Sequence, residues 1–503
     1  MTAVTTSAGT LKLINWEVDP NGTYHRIGDS QAQAGAATDI DMAVFGRFVT
    51  ACKAGDGKLK LISWDVSTGG PITRVKDSGS AAGEASLIRI VSLRDGRFVV
   101  ACKAGNGKLI LITWRMNADG SFTRLKDSGG AAGEVSSIDM VEIPPSGRDR
   151  RVVTAVRDGR GNLLLIVWRI APDGTVARIG DSASLAGAAR MIRVVTDQFG
   201  HVVTSVQAGD GSLKLISWAV SATGTVSRLK DSGGQAGVIG DNALLALSDG
   251  LVSAVRTASG DLKLIAWAIT AGGAFTRRGD SGAQAGDARL INIVPGPGVV
   301  DGQGRSVTMI TPVQAADGKL KLINWAPSCL GVHVKILTNP TVPITTMIAN
   351  MQQVYAAAGI RVRLLSTENL ALPLLNDVDV GTCSGQTTTE QNQLFGNRNN
   401  VGANEVVVYF VRSTVPAFNG CASHPEGRPG AAVARVASQW TLAHELGHVL
   451  GLPHCDTDDA CLLDRLMTTC GTGKITNAPP DLVAAEVGVM QGSPLSQACT
   501  GGF

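Results

Sequence analysis

The string Leu59-Lys60-Leu61-Ile62-Ser63-Trp64 recurs with small changes at seven places, its tryptophan falling at 16, 64, 114, 168, 218, 267 and 325. Self-similarity at a period near fifty residues is the mark of a repeat architecture. The two longest spacings carry Pro/Gly insertions, Pro144 to Gly147 and Pro295 to Gly304. Within one unit, residues 47–52 read as a strand, Gly55-Asp56-Gly57 as a hairpin turn and Leu59 to Trp64 as the partner strand. Thr73 to Lys76 gives a third strand, and Ser86 to Leu93 a fourth before the turn at Asp95-Gly96. Strand-only units of this length, each unable to bury its own face, predict the blades of a β-propeller over residues 1–328. Seven matching hairpins favour seven blades, the last supplying only two strands between Ser306 and Trp325. Six blades with an overlapping terminal hairpin is the alternative.

Twelve residues before each tryptophan stand Val4, Cys52, Cys102, Val156, Val206, Val255 and Val313, an apolar core position. The two cysteines there are expected to be buried, unreactive thiols. The tryptophans could present stacking platforms to a glycan or protein ligand, but packing against the neighbouring blade is the simpler expectation. The pairs Arg26/Asp29, Arg74/Asp77, Arg124/Asp127, Arg178/Asp181, Arg228/Asp231 and Arg277/Asp280 are read as turn clamps.

Of 503 residues, 17% are charged and 44% hydrophobic, with 61 glycines and only 21 aromatics. That composition supports folded units with many tight turns rather than disorder. A net charge of +3 without any Lys/Arg run excludes a nucleic-acid partner. No stretch reaches the ~18 apolar residues of a membrane span, and Met1 to Trp16 lacks the pattern of an export signal.

After Trp325 the repeat stops, and residues 329–503 read as a second domain of α/β (α+β) type. Val332 to Thr338 is a strand; a helix opens at Thr341 and Pro343, carries apolar residues at helical spacing from Ile344 to Tyr355 and ends at Gly359. Arg361 to Ser366 follows as a strand, Glu405 to Val411 as a central strand and Ala431 to Ala437 as an edge strand.

The chemistry sits in Ser438 to Cys455, which holds His-Glu-x-x-His-x-x-Gly-x-x-His. Four residues apart on a helix, His444 and His448 lie one turn above the other and both reach one ion. Glu445 stands beside that pair, where it can take a proton from water. Gly451 permits a sharp exit with positive φ, returning His454 as third ligand and leaving a fourth position open. Zn2+ suits three neutral imidazoles around a Lewis acid.

This segment resembles the metzincin clan of zinc metallopeptidases, and Leu466-Met467-Thr468 resembles the clan's Met-turn. The resemblance implies a metzincin-like peptidase domain: a zinc endopeptidase with Glu445 as general base, Met467 supporting the site from below, and residues 431–437 pairing with an extended protein or peptide substrate. The propeller would then be a binding or regulatory module, or a cover over the cleft. A binding or adhesion protein with a degenerate peptidase domain is the second function class.

Seven of nine cysteines lie beyond residue 328, predicting disulfides and an extracellular, secreted destination despite the missing signal. Asp456, Asp458, Asp459 and Asp464 offer oxygen ligands for Ca2+, although an acidic loop capping a turn is the simpler expectation. Cys455 is expected not to ligate the ion, and His424 to be a loop residue.

Overall fold

The two halves of each hairpin fall where alternation and Gly-containing turns put them, and the sheets assemble one strand out of phase with the sequence unit. The computed structural model describes residues 1–18, 24–67, 69–79, 81–93, 95–247, 250–282, 285–296, 309–325, 328–356, 358–457 and 460–498. Asp458, Asp459, Cys499 and the latter part of the second insertion lie outside these residues. One sheet runs Ala37–Phe45, Arg47–Ala54, Leu59–Val66, Ile72–Asp77, all antiparallel. The strand Ala85–Ser92, fourth in the sequence unit, pairs instead with Arg97–Ala104 of the next. The reason is local: Asp95 and Gly96 lie in a short hairpin loop that keeps those two strands adjacent, whereas the small-residue stretch after Asp77 carries the chain across to a new sheet.

The expected blade count is corrected accordingly. Five complete four-stranded arrays span Ala37–Asp77, Ala85–Asp127, Val135–Asp181, Ala189–Asp231 and Ile239–Asp280. At the N-terminus Thr2–Thr5, Leu11–Val18 and Tyr24–Asp29 make only three strands; at the other end Ala285–Arg289, Met309–Ala315, Leu320–Trp325 and the two-residue Val294–Pro295 join the fifth array through Asp261–Ile269. Among the described residues no strand pairing joins the two end sheets. The first strands of successive sheets pack against one another in sequence order, as inner strands of a propeller do.

Trp64, Trp114, Trp168, Trp218 and Trp267 are at most 1% exposed, so the stacking-platform expectation fails for them and the tryptophans are core. Cys52 and Cys102 are buried free thiols, pushed up by burial to about 11 and about 12. Asp77, Asp127, Asp181 and Asp231 each accept the backbone N–H two residues on, and the paired arginines also donate to carbonyls in the connection from the preceding sheet, Arg124 to Ala81 and Arg178 to Ala131.

The expected class, an all-β propeller followed by an α/β (α+β) metzincin-like peptidase domain, is corrected for the chain as a whole. The molecule is nearly all β, 52% strand against 9% helix, and repeated four-stranded sheets dominate it. Residues 328–498 add a two-stranded parallel sheet, Asp377–Asp379 with Ser413–Val415, and a six-stranded sheet in which Gln497–Ala498 also pairs antiparallel with Ser328–Ile336 and the main order is Ile360–Asn369, Ser328–Ile336, Val406–Val411, Gly430–Ala434, Gly420–Cys421. The first four strands are parallel and the last is antiparallel. Helices α1 (Ile344–Ala356) and α3 (Thr441–Val449) cover one face through Met347, Met351, Tyr355, Leu442 and Leu446, packed on Val332, Val334, Val408 and Val433. Alternate residues Val407, Tyr409 and Val411 meet Leu394 and Phe395 on the other face, beside α2 (Thr389–Leu394). The strand predicted as an edge is therefore interior: Gly420–Cys421 lies outside Gly430–Ala434. Two residues are too short for periodicity to register. His333 is buried on the second face, bonded through Nδ1 to Ser366 Oγ at 2.7 Å and through Nε2 to Glu405 Oε2 at 2.8 Å.

No helix among the described residues is long and apolar enough to cross a membrane. Disulfides Cys383–Cys421 and Cys461–Cys470, with Cys329 also disulfide-bonded, point to maturation in an oxidising compartment.

Candidate metal centre

Helix α3 begins after Trp440 and buries every residue from Thr441 to Gly447, because one side packs on the sheet and the other lies under the segment around Met467. His444 and His448 share a face, and the chain leaves the helix through Gly451 at φ 103°, a conformation open to glycine at no steric cost. The turn brings His454 back. The three Nε2 atoms lie 3.2 Å (His444 to His448), 3.1 Å (His448 to His454) and 3.3 Å (His444 to His454) apart. Among the described residues these three form the sole group of His, Cys, Asp or Glu side chains arranged to hold a metal ion.

The arrangement passes a test of fit to a cation. His444 Nδ1 lies 2.8 Å from Leu466 O and His448 Nδ1 2.7 Å from Leu452 O, so each ring donates its Nδ1 proton to a carbonyl. A neutral imidazole has one N–H. The Nε2 atoms of both rings consequently face the centre as lone pairs, a donor set that fits a cation. Burial lowers His444 to about 4 and also lowers His448, so both rings are neutral at neutral pH.

Glu445 is 7% exposed, and burial pushes its carboxyl up to about 8. A cation at the centre would act in the opposite direction. Its side chain lies against the backbone of Gly420, where an added Cβ would stand 2.6 Å from Glu445 Cγ. Met467 is fully buried, and its Sδ would meet a Cβ at Gly447 at 2.7 Å, so it packs directly on the helix. Gly420 and Gly447 are site-shaping residues that sequence reasoning missed; the glycine between Leu446 and His448 was the visible signal for one, and nothing local marked the other.

Asp456 is a turn-capping residue. Burial acts to raise its carboxyl, but hydrogen bonds from the Leu462 and Thr469 N–H groups and the Thr468 hydroxyl outweigh it and hold the group well below the usual carboxylate range. The Cys455 thiol is free, and His424 sits in a loop, near the Pro425 carbonyl.

No protein-family model and no curated protein matches the chain. Solved structures do. A protein from Lactobacillus plantarum is 13% identical, with 64% of this chain and 93% of that chain covered and a TM-score of 0.44. The periplasmic gluconolactonase PpgL of Pseudomonas aeruginosa is 15% identical, with 64% and 93% covered and a TM-score of 0.44. Sqt1 from Chaetomium thermophilum is 10% identical, with 62% and 75% covered and a TM-score of 0.40. At these identities and TM-scores the likenesses place the chain in no family. The expected membership of the metzincin clan, and with it the zinc endopeptidase and protease assignments, is corrected: no family model supports it, and the specificity for peptide bonds, which rested on the resemblance alone, is not retained.

Proposed function

We propose that residues 328–498 carry a metal-dependent hydrolytic centre in which His444, His448 and His454 hold one divalent ion, Zn2+ in first place, and Glu445 is the proton-transfer group. The observation that carries this reading is the convergence of three Nε2 atoms within 3.3 Å of one another, two of them with Nδ1 engaged by carbonyls. An ion held there would supply Lewis acidity, making an attacking water more acidic and stabilising charge on the oxygen of the group attacked. Glu445 would accept the proton from that water and return it to the leaving group. Gly420 leaves room for the Glu445 side chain, whose Cγ an added Cβ would meet at 2.6 Å. Placement outside the cytoplasm accords with the disulfides.

The test is hydrolysis of a panel of ester, lactone, amide and phosphoester substrates by zinc-replete protein, with and without a chelator. Chelator-sensitive turnover on any member supports the reading. Failure to bind one equivalent of zinc, or turnover indifferent to the chelator, overturns it.

A second role, binding of a glycan or protein by the repeats, is favoured by Leu185 and Val238, which are 44% and 55% exposed in segments joining one sheet to the next. Binding on a glycan or protein array that survives His444→Ala would assign it to the repeats.

A further inference from the structure

Two of the three imidazoles are aimed by backbone carbonyls and by the helix that carries them. His454 has neither support: it is exposed, lies beyond the turn at Gly451, and among the described residues is bonded only through Nε2. Its place is set by the chain that follows. The Cys455 N–H donates to Met467 O at 3.0 Å. The Asp456 carboxylate accepts the Leu462 N–H and the Thr468 hydroxyl at Oδ2 and the Thr469 N–H at Oδ1, each at 2.7 Å. One carboxylate, two residues from the third ligand, thus gathers residue 462 and the pair that follows Met467. Its grip is flanked by a cross-link, since Cys461 adjoins Leu462 and Cys470 adjoins Thr469. The same segment supplies Leu466 O to His444.

We propose that Asp456 is the positioning residue of the third ligand, and that the Cys461–Cys470 bridge holds its hydrogen-bond donors in register. The inference deepens the metal-site reading and rests on it. Charge-assisted bonds from three donors fix the loop before an ion arrives, so the ordering cost of bringing His454 to the other two rings is met in the apo protein.

The experiment measures zinc affinity of the full chain by competition with a chromogenic chelator, alongside melting of the apo protein. Asp456→Ala is expected to weaken zinc binding about ten- to a hundredfold, the range for groups that orient metal ligands. Cys461→Ser combined with Cys470→Ser is expected to weaken it less. In a His454→Ala background, Asp456→Ala should have no further effect on zinc, because the residue acts through that ring. If wild-type protein binds no zinc, the metal-site reading falls. If wild type binds zinc and Asp456→Ala binds it as tightly, or weakens it equally without His454, the positioning inference alone is overturned. Should Asp456→Ala fail to fold, Thr468→Val removes one donor; undiminished affinity there would overturn it as well.

Discussion

The repeats and the C-terminal unit solve the problem of a buried polar group in opposite ways. Among the repeats one solution is copied: the indole N–H of Trp16, Trp64, Trp168, Trp218, Trp267 and Trp325 donates to a hydroxyl fourteen residues earlier, on Thr2, Thr50, Thr154, Thr204, Ser253 and Thr311. Likewise Ser30, Ser78, Ser128, Ser182, Ser232 and Ser281 accept the N–H of a leucine seventeen residues back. In the C-terminal unit each polar contact occurs once, and the helix that bears the histidines depends on single neighbours such as Gly420 and Met467. A copied solution spreads the consequence of losing one member; a single one concentrates it.

The largest effect is expected at the centre. Glu445→Gln should lower turnover on any responsive substrate by about 10²- to 10⁴-fold while zinc content is unchanged, the usual range for losing a general base. Turnover close to wild type would remove Glu445 from the chemistry. Within the repeats, Trp168→Ala empties a fully buried indole site and should cost about 3–5 kcal/mol by chemical denaturation. Trp325→Ala, at a half-buried end position, should cost distinctly less, and equal losses would break the contrast between complete and end sheets. Gly420→Ala forces Glu445 away from its place and should reduce turnover by up to about a hundredfold with metal retained.

Trp114 sharpens the comparison. It is the one member whose indole N–H is buried without a partner, because Val100 occupies the position held elsewhere by Thr or Ser. Val100→Thr should therefore stabilise the protein by about 1 kcal/mol. The smallest effect concerns Glu405. Burial acts to raise its carboxyl, but the Gly402 N–H and His333 outweigh it and leave the group below its ordinary value. A lowered folded-state pKa contributes stability that is present above the unfolded value and lost as pH falls through the folded one. Glu405→Gln should thus show a stability deficit that is constant above about pH 5 and narrows below about pH 4. A deficit independent of pH would assign the loss to packing.

Much of this was legible in residue types. Alternation and Gly-containing turns located the hairpins, and the spacing of His444, His448, Gly451 and His454 anticipated the convergence of three imidazoles, because those signals are local. Sheet phase was not legible: whether Ala85–Ser92 joins the strands before or after it depends on loop path, not on the strand's own sequence. Gly420–Cys421 escaped for a related reason, since a two-residue strand is defined by its partner at Val433 and Ala432. The aspartate-serine pair was read for its aspartate alone; the serine hydroxyl's bond to a distant leucine amide becomes visible only when two strands are placed side by side.

The one-strand offset between unit and sheet also bears on how such a chain changes length over generations. Each complete sheet joins a strand from one copy to three from the next, so unequal crossing-over between neighbouring copies yields a gene with one sheet more or fewer and no sheet of mixed phase. Gain or loss of a whole copy then leaves the pairing within each sheet unchanged, while the C-terminal unit downstream keeps its own single set of parts.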